Sequence, residues 1–133
     1  MTSAASMMSL ANFAAVGGGA VLGAWARWLL ALALNHRIEW LPLGTLLVNL
    51  GGGFAIGLLV AYFEHHPGLA PHWRLFAITG FLGALTTFSA FSAEAMVLLQ
   101  RGDYGMALAH SALHLVGSIV CCVAGYASFR ALA

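Results

Sequence analysis

Hydrophobic residues fall along this chain in four long blocks, over residues 10–34, 43–63, 75–99 and 106–129. Polar residues gather in the short stretches between them. Each block is near the ~20 residues that a helix needs to cross the hydrocarbon core of a bilayer. The connections carry the punctuation: Asn35-His36-Arg37, Glu64-His65-His66-Pro67-Gly68, Pro71-His72-Trp73-Arg74 and Arg101-Gly102-Asp103. Trp40 and Trp73 stand near block ends, where aromatic rings favour the membrane interface. The pattern predicts an all-α integral membrane protein, a single domain over residues 1–133 with four transmembrane helices.

The third block departs from the pattern. Its stretch Gly80-Phe81-Leu82-Gly83-Ala84-Leu85-Thr86-Thr87-Phe88-Ser89-Ala90-Phe91-Ser92 holds two Gly, two Thr and two Ser at membrane depth. Such residues are tolerated there when they are buried in protein or line a path through it. Gly83 and the Thr86-Thr87 pair weaken a continuous helix, because Gly lowers helix stability and Thr competes for backbone hydrogen bonds. The third helix is therefore expected to be broken near its middle. A break frees carbonyls, and in a dry interior these suit a hard cation such as Na⁺. Phe88 and Phe91, at i and i+3, share a face just beyond. Packing is the plain reading of that pair. The other reading uses the positive edge of the aromatic ring, which can meet a small anion.

Composition supports the membrane class: 62% of residues are hydrophobic and 7% charged, against about 25% charged in a soluble domain. The chain has no Lys, its five Arg are scattered, and its net charge is +1, which argues against nucleic-acid binding. Cys121 and Cys122 are adjacent in an apolar block and read as small packing residues. Ala31-Leu32-Ala33 resembles a signal cleavage site, but the block before it is too long for a signal peptide and contains Arg27. Four spans put both termini on one side with Arg74 and Arg130, and leave Arg37 and Arg101 on the other. This near balance barely specifies orientation. Either packing corrects a weak bias, or the chain inserts both ways and pairs with an inverted copy of itself. Gly19-x-x-x-Gly23 and Gly53-x-x-x-Gly57 offer close-contact helix faces, for packing within one chain or between two.

Several polar residues inside the blocks can carry chemistry. Asn49 shares a helix face with Gly52, Gly53 and Gly57; it can donate to an anion or tie helices together. His110, His114 and Ser118 form one stripe at i, i+4, i+8, which fits the wall of a water-filled path. Two His at that spacing can share a zinc, but no Glu or Cys on the same helix face completes a site. His65, His66 and His72 read as solvated loop residues. Arg27 either snorkels to the interface or attracts anions to a path entrance. Glu94 is expected to face protein or water, in a structural hydrogen bond or a proton-coupled role.

These elements together resemble the CrcB, or Fluc, fluoride channels. The resemblance rests on Gly-Ala-x-x-Arg at Gly23 to Arg27, on Pro42-x-Gly44-Thr45-Leu46-x-x-Asn49, and on Gly80-Phe81-x-Gly83-x-x-Thr86-Thr87-Phe88-Ser89-x-Phe91. It covers the chain after about residue 12. It implies an antiparallel, dual-topology homodimer in the bacterial plasma (inner) membrane, with two fluoride pores and a central structural Na⁺. The carbonyls of Gly83 and Thr86 from both chains would hold that Na⁺. Phe88 and Phe91 would present ring edges to fluoride, and Asn49 would donate to it. His110, His114 and Ser118 would form a polar track, with Arg27 nearer the entrance. The family often has Tyr and Ser where this chain has His110 and His114. If these imidazoles line the path, flux should respond to pH near their ordinary pKa of ~6.5.

The expected function is passive, fluoride-selective export that relieves fluoride toxicity. Two rivals stand beside it: a small proton-coupled multidrug exporter, and a membrane assembly protein that transports nothing. The exporter needs a membrane-centred acid, typically in the first span, and this first span has none. No Ser/His/Asp set or metal motif supports an enzyme.

Overall fold

A computed structural model describes residues 4–133 of the protein. A helical turn, Ala4–Met7, precedes α1 (Leu10–Leu34), α2 (Leu43–His65), α3 (residues 71–85), α4 (Phe88–Gln100) and α5 (Tyr104–Leu132). No strand occurs among the described residues. Four spans are long and apolar enough to cross a membrane, the third made of α3 and α4 together over Pro71–Gln100.

Local chemistry sets the helix ends. The Ser9 hydroxyl accepts from the Asn12 amide at 3.2 Å and caps α1. Pro71 starts α3, where its missing N–H costs nothing. Gly102 ends α4 at φ 77°, a left-handed conformation that glycine adopts without strain. Within α3, Leu75–Leu82 winds as a π-helix.

The helices pack in two intimate pairs, and glycine permits both. A Cβ on Gly19 or Gly23 of α1 would overlap the Phe76 or Phe81 carbonyl of α3, and one on Gly80 would come within 2.6 Å of the Val16 carbonyl. On the other side, a Cβ on Gly57 would overlap the Cys122 carbonyl, and one on Gly125 the Phe54 carbonyl, so α2 and α5 touch backbone to backbone. Both small-residue motifs are thus used within the chain. The α1–α2 and α4–α5 connections meet through Arg101 and Glu39, whose side chains lie 3.3 Å apart on the surface. At the opposite end the Tyr126 hydroxyl donates to Glu64 at 2.9 Å.

The third span is interrupted at Thr86 (φ −81°, ψ 156°) and Thr87 (φ −150°, ψ 116°), both extended. Gly83 stays helical at φ −61°, ψ −34°. Of the weak points expected here, the interruption thus falls on the Thr86-Thr87 pair and not on the glycine: Gly83 still donates back to Gly80 and Ile78, whereas Thr87 turns its hydroxyl to cap α4.

Candidate ion pathway

Asn49 clasps the interruption. Its Oδ1 accepts from the Thr87 amide at 2.8 Å, and its Nδ2 donates to the Thr87 carbonyl at 3.0 Å. In a continuous helix the Thr87 amide would serve the Gly83 carbonyl. Likewise the Ala90 amide, which would serve Thr86, donates to the Thr87 hydroxyl at 3.0 Å. The carbonyls of Gly83 and Thr86 thus lose their helical donors. Oxygen atoms released in this way in a dry interior are suited to a hard cation. Arg27 contributes from α1: its Nε donates to the Ala84 carbonyl at 3.1 Å, placing positive charge at the C-terminal end of α3.

The second N–H of Asn49 lies 3.0 Å from Nδ1 of His114. Because both Thr87 contacts fix the amide's orientation, Nδ1 is the acceptor, and the neutral ring carries its proton on Nε2. That Nε2 is buried and has no hydrogen-bond partner among the described residues. His110, one turn earlier, is fully buried. Its Nε2 lies 3.0 Å from Glu94 Oε2, whose other oxygen accepts from the Thr45 hydroxyl at 2.7 Å. Thr45 accepts in turn from Asn35 at 3.2 Å. His110 Nδ1 is the second buried atom without a partner. A chain of polar groups therefore runs from the α1–α2 end of the molecule to the middle of the third span.

Aromatic rings line up with the imidazoles. Phe91 stacks on His110 with centroids 5.4 Å apart and planes within 1°, and it meets His114 at 5.1 Å. Phe88 lies 5.2 Å from Phe91 and is 76% exposed. Beside these rings opens a groove of about 660 Å³, whose wall includes Asn49, Gly83, Thr86, Phe88, Phe91, His114 and Ser118.

Seven of the nine residues that the resemblance assigns to the ion path and the cation share one groove. His110 lies behind it against Glu94, and Arg27 sits on the Ala84 carbonyl. Asn49 has both N–H groups engaged, so its direct partners here are Thr87 and His114. Sequence reasoning gave no role to two participants, Asn35 in the first connection and Thr45 in the second block, because the acid they serve sits on another helix. The metal reading also needs correction. The acid missing from the His110–His114 helix face comes from α4: one ligand atom each of Glu94, His110 and His114 lie within 4.8 Å of one another.

A family model described as "CrcB-like protein, Camphor Resistance (CrcB)" matches residues 14–126. A protein of Cupriavidus metallidurans named fluoride-specific ion channel FluC is 54% identical over 122 residues, covering 92% of this chain and 97% of its own. Proteins of the same name from Acinetobacter baumannii (54% over 111 residues, 84% and 87% covered) and Ralstonia nicotianae (50% over 125 residues, 94% and 99% covered) are also similar.

Proposed function

The chain belongs to the CrcB family, and from that premise we propose that it is a fluoride channel that lets the ion leave the cell passively, down its electrochemical gradient. The observation that carries the reading at atomic scale is His114, which lines a groove with Phe88, Phe91 and Ser118 and keeps a buried Nε2–H without a partner just behind that wall. Fluoride is small and tightly hydrated. A path for it must replace water with donors, strongly enough to admit the ion and weakly enough to release it. Imidazole N–H, serine hydroxyl and ring edges are such donors, and none adds a fixed negative charge.

The occupant of the groove is a second, inverted copy of the chain. Its apolar wall and the exposed Phe88 ring call for a cover, and the near-even Arg distribution permits either orientation. The carbonyls of Gly83 and Thr86 fit a Na⁺ at that junction, since both have lost their helical donors. Such an ion would supply fixed positive charge beside the anion path and hold the two chains together. The setting is the bacterial inner membrane. A proton-coupled exporter fits less well, because the one acid in the spans' interior, Glu94, is taken up by Thr45 and His110.

The test is efflux from liposomes containing the purified protein. Fluoride should leave and chloride should stay; equal efflux of the two, or none, refutes the reading.

A further inference from the structure

We propose that Glu94, His110 and His114 bind a zinc-class divalent cation, and that its occupation interrupts the fluoride path. Two imidazoles and a carboxylate are a donor set that suits zinc and leaves a fourth position for water or a halide. The imidazoles are buried, at 0% and 4% exposure; His110 already turns Nε2 to Glu94, and His114 keeps Nε2 without a protein partner. With zinc–ligand bonds of about 2.0–2.2 Å, tetrahedral ligands stand roughly 3.3–3.6 Å apart. His110 Nε2 and Glu94 Oε2 are already 3.0 Å apart, and the whole set lies within 4.8 Å. A side-chain shift of about 1 Å closes the site.

Asn49 opposes this. Its N–H donates to His114 Nδ1, which keeps the proton on Nε2. For Nε2 to ligate a metal, that proton must leave and Nδ1 must carry one, facing a donor. Metal-bound histidines normally give their other N–H to a carboxylate or carbonyl. Asn49→Asp provides such a carboxylate and should tighten binding, an outcome that a merely structural Asn49 does not predict. The binding inference rests on the cluster alone; the interruption of flux rests also on the channel reading.

The measurement uses the full chain with the four histidines outside the cluster replaced (His36→Asn, His65→Asn, His66→Asn, His72→Asn), stripped with chelator and titrated with Zn²⁺ against an indicator dye. One Zn²⁺ per chain is expected, weakened roughly tenfold or more by Glu94→Gln and by His114→Gln. Co²⁺ in the same background should show the intense visible absorption of a four-coordinate site, which keeps the test valid if the variants misfold. No saturable binding, a Co²⁺ spectrum of a fully hydrated ion, or binding indifferent to both variants overturns the site. In liposomes of the background protein, Zn²⁺ should stop fluoride efflux and chelator restore it. Binding without inhibition overturns the interruption, whereas absence of efflux before zinc is added refutes the channel reading and leaves the site standing.

Discussion

Asn49 serves three partners with one amide: the Thr87 N–H, the Thr87 carbonyl and His114 Nδ1. Asn49→Ala strands all three at membrane depth, where each unsatisfied polar group costs about 1–3 kcal/mol. The variant should melt well below the parent in detergent and lose fluoride flux; a parent-like Tm would show that the clasp is dispensable. Phe88 and Phe91 should separate by the same logic. Phe88 is mostly exposed within the chain, so Phe88→Ile should depress flux with little change in chain stability. Phe91 touches both imidazoles, so Phe91→Ile should lower flux and also lose about 0.5–1.5 kcal/mol of ring contact. Thermal unfolding alongside efflux distinguishes the two.

The tight pairing of α2 with α5 depends on having no side chain at the crossing. Gly57→Ala would set a methyl group into the Cys122 carbonyl and should destabilise by about 1–3 kcal/mol, as overpacking does. Gly17→Ala meets nothing within 4 Å and should be neutral, or stabilising by up to about 1 kcal/mol through helix propensity. Unfolding midpoints in one detergent compare them directly. The four blocks were legible because hydrocarbon thickness sets span length, and the interruption because Gly and Thr cluster where a lipid-facing helix has no use for them. Its exact residue was not: Gly83 and the Thr86-Thr87 pair both weaken the helix, and what decides between them is which amides find other acceptors, through Asn49 and the Thr87 hydroxyl in tertiary and capping geometry. The π-helix at Leu75–Leu82 has no signature among those apolar residues. The Glu94–His110 pair was hidden for another reason. Reading along one helix finds its stripe but not the acid that a neighbouring helix brings.

At the scale of the molecule, the groove brings Gly83, Thr86, the two Phe rings and His114 to one open face. A second copy seated there should make the detergent-solubilised protein a dimer, which chemical cross-linking and mass measurement will detect. A monomer that still conducts fluoride would remove the basis for the shared cation. A single cysteine placed at one terminus, in a background without Cys121 and Cys122, should react with impermeant reagent from both sides of the membrane if insertion is mixed.

The Asn49 clasp also bears on how the chain is made. Thr87's peptide groups cannot rest in lipid without partners, and those partners arrive on α2. The third span is therefore not a self-sufficient unit for the translocation machinery. It should integrate poorly when synthesised without α2 or with Asn49→Ala, and well when α2 precedes it, so that biogenesis follows an order written into one side chain.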